Sequence, residues 1–189
     1  MFSTLLLVAL VITAAVTDAA RHRIYNWTTY PGMLTGLVLA LDGALFEWLA
    51  PDAAQQWQPL VGWLPVTDAL AGFLVCGLVM VVCFAFFPTG GGDVKLFAMV
   101  GALVGLEKGL EVLLWTFLLG GCLGLTILIW RLGPLCLLHR AWQLLVGVLT
   151  LGIVFRPPSD EKREFQLPVF LGPSAAVALA AVLIPWPWL

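Results

Sequence analysis

The chain has 189 residues, of which 61% are hydrophobic and 11% are charged, and its formal net charge is −2. Soluble domains usually carry about 25% charged residues, so this chain has too few polar side chains to face water and requires a bilayer as its solvent. That composition excludes a cytosolic enzyme and a disordered tail, and the nine Lys and Arg against eleven Asp and Glu exclude a nucleic-acid-binding protein.

Six windows are apolar enough to predict transmembrane helices, each of which needs about 20 residues. In chain order they are Phe2–Thr17, Tyr30–Ala50, Ala69–Phe87, Leu96–Leu106, Val112–Trp130 and Leu167–Leu189. The first resembles the apolar core of a signal peptide but lacks a basic start and a small-residue cleavage site, so we interpret it as a span. The fourth is short, and it either extends through Glu107 and Lys108 or is buried by neighbouring helices. The windows predict an all-α integral membrane protein, a bundle of about six transmembrane helices in a single domain over 1–189.

The basic residues predict the orientation of these spans. With the amino terminus outside, the segments 18–29, 88–95 and 131–166 are cytoplasmic and contain every Lys and Arg except Lys108, namely Arg21, Arg23, Lys95, Arg131, Arg140, Arg156, Lys162 and Arg163. This distribution follows the positive-inside rule. The segment Gly133–Phe155 is also apolar, but a crossing there would place the last three of these cations outside. We therefore predict an interfacial helix over 133–155, and an outer interfacial connection over Pro51–Pro65.

Cysteine and histidine usage indicates no metal site. The two histidines are His22 and His139, and the four cysteines, which form no CxxC pair, are Cys76, Cys83, Cys122 and Cys136. Neither a zinc ribbon nor a disulfide framework is indicated, because buried thiols in apolar stretches usually behave as small apolar residues.

Two aspartates stand at predicted cytoplasmic ends of spans. Asp18 follows the first span, and Asp93 follows the glycine run 90–92 and opens the fourth span. Each has an ordinary structural interpretation, since Asp18 could pair with Arg21 and Asp93 could cap a helix. Three consecutive glycines exceed the needs of a cap, and glycines are useful where another backbone approaches closely. The run therefore favours a bound peptide.

These residues carry a family resemblance. The run Gly90 Gly91 Gly92 Asp93 Val94 Lys95 resembles the GxGDxK motif of the aspartic prepilin peptidases, membrane proteases that remove leader peptides from type IV prepilins. A second family pattern, Asp followed six residues later by Ile-Pro-Asn, is similar to Asp18, Ile24 and Asn26, with Tyr25 in place of proline. Residues 167–173 are similar to the proline-containing start of the family's last span.

The resemblance implies a function and a site. Asp18 and Asp93 would be the catalytic residues, no metal or cofactor would be needed, and the substrate-binding hypotheses are Gly90, Gly91, Gly92 and Lys95. Larger relatives that also methylate the new amino terminus carry paired CxxC motifs, which this sequence lacks, so it resembles the short tight-adherence (Flp) pilus type or the preflagellin type. The implied partners are a prepilin substrate and membrane lipids, and the implied location is the bacterial inner membrane with the active site on the cytoplasmic side.

An aspartic protease needs two carboxyls that share a proton, one acting as base on a water and the other polarising the scissile carbonyl. Asp93 begins a predicted helix, where the positive end of the dipole favours an anion, and Asp18 ends one. The dipoles therefore predict Asp93 as the base and Asp18 as the acid.

Two other classes of function stay open at this point. Asp42 and Glu47 fall in the second half of the second span. Either that span ends early, with both acids among the outer headgroups, or Asp42 lies within the hydrocarbon, where acids mark ion pathways. The second case favours a small proton-coupled transporter. A noncatalytic subunit of a pilus or secretion assembly is the other alternative, with both Asp18 and Asp93 structural.

Overall fold

The computed structural model describes residues 1–21, 23–86, 90–133 and 171–184, together with Trp142 and Val146. Within these ranges all regular secondary structure is helical, which confirms the predicted all-α class. The helices are α1 Phe2–Arg21, α2 Asn26–Leu49, α3 Pro51–Val61, α4 Val66–Phe86, α5 Gly91–Val104, α6 Leu106–Leu132 and α7 Leu171–Leu183.

Four stretches of the described chain are long and apolar enough to cross a membrane: Phe2–Arg21, Asn26–Leu49, Pro51–Phe86 and Leu106–Trp130. They confirm the prediction of an α-helical membrane bundle. The helix ends lie outside the predicted windows, because α1 continues past Thr17 and α2 begins before Tyr30. The second helix does not end before Asp42, which lies within the stretch Asn26–Leu49.

The fourth predicted span is a short helix enclosed by its neighbours. Helix α5 has 14 residues and so extends about 21 Å, less than the roughly 30 Å of bilayer hydrocarbon. Every residue from Leu96 to Val104 is buried, and the helix packs against α4, α2 and α1. A helix that is apolar on all sides is expected at such a position. Glu107 and Lys108 belong to α6.

Helices α4 and α5 approach each other closely at two glycines. A Cβ atom added at Gly72 would collide with the carbonyl oxygen of Gly101, and one added at Gly101 would collide with the carbonyl oxygen of Gly72. Small residues allow the backbones of membrane helices to approach in this way. The pair fixes the position of α5, and with it the position of Asp93 at its start.

The amino terminus lies at the end of the bundle opposite to Asp93. The Met1 ammonium donates a hydrogen bond to the carbonyl oxygen of Pro59 at 3.3 Å, and the Ser3 hydroxyl donates to the carbonyl oxygen of Gly62 at 3.1 Å. Most of the predicted outer connection Pro51–Pro65 forms helix α3, which ends at Gly62 in the left-handed conformation with φ 74°. Glycine is the usual residue at such a helix end.

The connection between α5 and α6 is held at the same distant end. Gly105 has φ 86°, and the Leu106 N–H that follows it donates to Oδ1 of Asp68 at 3.0 Å. Asp68 lies in the first turn of α4 and supplies a cap to α6 from a different helix.

The chain divides into two compact units, one of Met1–Phe117 with Phe170–Leu189 and one of Leu118–Val169. The described part of the second unit is the later half of α6, Gly133 and two isolated residues. The interfacial helix predicted over 133–155 otherwise lies outside the described residues, as do 167–170 and 185–189 of the last predicted span. The single-domain organisation stays a prediction.

Candidate active site

The structure brings Asp18 and Asp93 to one open cleft of about 380 Å³. Asp18 lies in the last turn of α1, and Asp93 lies in the first turn of α5. The residues that line the cleft are Asp18, Arg23, Ile24, Tyr25, Gly90, Gly91, Gly92 and Asp93. The two sequence motifs that carried the family resemblance therefore meet in space.

Asp93 is buried at the start of its helix, with 8% of its surface exposed. Its Oδ2 accepts a hydrogen bond from the Gly90 N–H at 3.1 Å, while its own N–H donates to the Gly90 carbonyl oxygen at 3.0 Å. An acidic side chain at the third helical position that reaches back to the residue before the helix is one half of a capping box. Asp93 thus caps α5 and also lines the cleft.

The surroundings of Asp93 favour its protonated form. Burial raises the pKa of this carboxyl to about 6, the Gly90 hydrogen bond opposes the rise, and the negative charge of Asp18 adds to it. The raised pKa of Asp93 opposes the assignment of Asp93 as base and Asp18 as acid, which stays a prediction from the helix dipoles. Helix α5 is not one of the four stretches that could cross the membrane.

Asp18 is half-buried and makes a contact that the sequence did not predict. Its Oδ2 accepts a hydrogen bond from the backbone N–H of Gly172, in the first turn of α7, at 3.0 Å. Arg21, the expected partner of Asp18, instead donates to the hydroxyl oxygen of Tyr25 at 2.7 Å. The Asp18 carboxyl is therefore oriented by α7.

The three glycines before Asp93 have different surroundings. A Cβ atom at Gly92 would lie 2.9 Å from the Cβ of Ile24, and one at Gly90 would lie 3.2 Å from Oδ2 of Asp93. A Cβ atom at Gly91 would have no described atom within 4 Å. Packing explains glycine at Gly92, whereas the space beside Gly91 is open to the cleft.

Lys95 does not line the cleft but joins α5 to α2. Its ammonium donates to Oδ1 of Asn26 at 2.9 Å and lies 4.9 Å from the centre of the Tyr30 ring, within the range of a cation–π contact. This contact joins the lysine two residues after the GxGD aspartate to the asparagine of the other motif. A role of Lys95 in substrate binding stays a prediction.

Sequence reasoning missed Gly172, and it did not single out Arg23, which is exposed and contributes a positive charge to the cleft. The similarity of residues 167–173 to the start of the family's last span pointed to the right segment but not to its partner. Among the described residues, no group of three or more His, Cys, Asp and Glu side chains is arranged to hold a metal ion.

Comparison with known proteins identifies the family of the chain. A family model described as the type IV leader peptidase family matches residues 5–125, which include Asp18 and Asp93. No curated protein and no solved structure matches the chain. Since the family model covers more than half of the 189 residues, the chain belongs to the type IV leader peptidase family.

Proposed function

We propose that this protein is an aspartic endopeptidase that removes the leader peptide from Flp-like type IV prepilins at the cytoplasmic face of a bacterial inner membrane. The observation that carries the proposal is the convergence of Asp18 and Asp93 on one cleft beside the glycine run 90–92. Family membership supports leader-peptidase activity, and the lack of paired CxxC motifs in the sequence supports the short type without methyl transfer.

The two carboxyls differ in ways that suggest their roles. Asp93 is buried and keeps its proton up to a pH of about 6, so we assign it as the acid that donates a hydrogen bond to the scissile carbonyl. Asp18 is half-buried and accepts an N–H from Gly172, so we assign it as the base. These roles reverse those that the helix dipoles predicted.

In the reaction, Asp18 takes a proton from a water as the water oxygen bonds to the scissile carbonyl carbon. The carbonyl oxygen receives the proton of Asp93, which leaves a tetrahedral diol. The C–N bond then breaks as one diol hydroxyl returns its proton to Asp93 and the proton on Asp18 passes to the leaving nitrogen. Both carboxyls end in their starting protonation states, so one turnover consumes only a water molecule and the peptide.

The placement of the cleft fits a prepilin substrate. Such a substrate has a basic leader in the cytoplasm and an apolar helix in the membrane, so its scissile bond lies at the inner headgroup level. Asp18 ends a candidate span, and Arg21, Arg23 and Lys95 belong to the same end of the bundle as the cleft. This accumulation of cations supports a cytoplasmic location for the cleft.

Coexpression with candidate prepilins tests the proposed function. We expect a prepilin of the Flp type to shift in mobility, with a single new amino terminus by mass spectrometry, only when this protein is present. Flp-type, preflagellin and large type IV prepilins should be compared in parallel. If none of them is cut by the folded, membrane-inserted protein, the proposal is wrong.

The activity should fall as the pH rises through about 6. Asp93 must carry a proton to donate to the scissile carbonyl, and its pKa of about 6 places the loss of that proton in the mildly acidic range. The measurement is the pH profile of kcat/KM on a detergent-solubilised prepilin, which reports groups of the free enzyme. A profile that stays flat from pH 5 to about 8 would contradict the assignment of Asp93 as the acid.

Alanine substitutions should separate the roles of two neighbouring glycines. Gly91→Ala meets no described atom within 4 Å, so we expect an unchanged melting temperature and a KM raised about tenfold if a substrate backbone passes there. Gly92→Ala meets Ile24 at 2.9 Å, so we expect a lower melting temperature as well as slower cleavage. If Gly91→Ala leaves KM unchanged, the glycine run does not contact the substrate.

A further inference from the structure

We propose that Gly172, in the first turn of α7, is a positioning residue of this site, which orients Asp18 for its role as the base. The proposal rests on the proposed function and extends it to a helix outside the matched residues 5–125. Asp18 and Gly172 are separated by 154 positions in the chain, so the contact depends on the packing of α7 against α1.

The hydrogen bond uses a donor that α7 itself cannot satisfy. The first N–H groups of a helix have no carbonyl partner within that helix, and Gly172 is the second residue of α7. Its N–H donates to Oδ2 of Asp18 at 3.0 Å. With one oxygen held by this backbone donor, the other oxygen of Asp18 has a defined direction from which to accept a proton from water.

The position requires glycine because the carboxyl lies against its backbone. A Cβ atom at Gly172 would lie 2.7 Å from Oδ2 and 2.8 Å from Cβ of Asp18. Both distances are shorter than real Cβ contacts allow, and the Cβ of Asp18 is close to the α1 backbone and cannot swing away. Any larger residue would therefore displace the carboxyl or move α1 from α7.

Several charged or titratable groups share the cleft with Asp18. Asp93 faces it from the start of α5, and Arg23 and Tyr25 face it from the connection between α1 and α2. Arg21, on the same helix as Asp18, is engaged with Tyr25. The Gly172 N–H is the contact from α7. Displacement of Asp18 from this N–H removes the contact that orients its carboxyl.

The test compares Gly172→Ala with Gly121→Ala, a matched change in α6 where a Cβ atom meets no described atom within 4 Å. We expect Gly172→Ala to lower kcat on a prepilin at least about a hundredfold with little change in KM. The Gly121→Ala variant should cleave the prepilin with the kcat of the unmodified protein. A Gly172→Ala variant that folds and keeps the unmodified kcat would overturn the proposal while the proposed function stands.

A second measurement needs neither activity nor the alanine variant. In protein labelled with ¹⁵N-glycine, the amide resonances of Gly172 and Gly90 should both move with pH, because each N–H donates to a carboxyl. Asp18→Asn should abolish the pH-dependent shift of one of these two resonances, and Asp93→Asn should abolish the shift of the other. If Asp18→Asn removes no glycine titration, Gly172 does not hold Asp18 and the proposal is wrong, whatever the substrate.

Discussion

Replacing either Asp18 or Asp93 with asparagine should abolish leader removal, with kcat/KM at least about a thousandfold lower. Positioned acid and base groups each contribute about 10² to 10⁴ in rate, and asparagine can neither accept the proton from water nor supply one to the scissile carbonyl. Both side chains line the cleft, and asparagine preserves their size. The measurement is prepilin cleavage at enzyme concentrations matched by quantitative blotting.

Asp42→Asn is the control for these two variants. Asp42 is exposed, and it lies about 24 Å along α2 from the start of that helix at Asn26. We expect this variant to cut at the unmodified rate. Full activity in Asp18→Asn or Asp93→Asn would contradict the catalytic role of that residue and favour the assembly-subunit interpretation. Loss of cleavage in Asp42→Asn alone would contradict the assignment of the active site to the cleft.

Gly72→Ala should destabilise the protein and slow cleavage, although the residue is remote from the cleft. The added Cβ atom collides with the Gly101 carbonyl oxygen and lies 2.7 Å from the Gly105 carbonyl carbon, so α4 and α5 must separate. Overpacking of this kind costs about 1–3 kcal/mol, which corresponds to a melting temperature lower by roughly 2–12 °C for a protein of this size. Thermal unfolding in detergent and prepilin cleavage measure the two effects.

A loss of stability in Gly72→Ala is informative because alanine normally stabilises a helix relative to glycine, by about 0.5–1 kcal/mol. Gly121→Ala, which meets no described atom within 4 Å, should therefore leave the melting temperature unchanged or raise it slightly. If Gly72→Ala is as stable as Gly121→Ala, the close approach of α4 and α5 is not a feature of the protein in solution.

The meeting of Asp18 and Asp93 could be predicted because it depends on topology. Apolar windows and the distribution of Lys and Arg placed the end of α1 and the start of α5 on one side of the bundle, and these are the ends that line the cleft. The short apolar window Leu96–Leu106 also indicated a helix enclosed by others, since only neighbouring helices can shield so short a segment.

The proton assignment could not be predicted, because burial is a property of packing. A sequence shows that Asp93 begins a helix, but not that only 8% of its surface stays exposed. The contact between Gly172 and Asp18 is hidden for a similar reason: it joins a backbone N–H to a side chain across 154 positions. No local pattern marks which glycine of an apolar chain will face a carboxylate.

Helix α3 and the cap at Asp68 were missed for reasons of composition. The stretch Pro51–Val61 contains two prolines and several polar residues, which indicate a loop, but Pro51 occupies the first helical position where proline is tolerated. Asp68 lies near the start of an apolar span, where an acidic residue is usually located among the lipid headgroups. Its bond to the Leu106 N–H depends on the turn at Gly105, which only the folded chain reveals.

The two glycine contacts assign the aspartates to different pairs of helices. Asp18 belongs to α1, which is joined to α7 at Gly172, and Asp93 belongs to α5, which is joined to α4 at Gly72 and Gly101. Because α1 also packs against α5, a displacement at either glycine contact would move one carboxyl relative to the other. The spacing of the two carboxyls therefore depends on helix packing on both sides of the cleft, so a substitution at either glycine contact would alter it without replacing an aspartate.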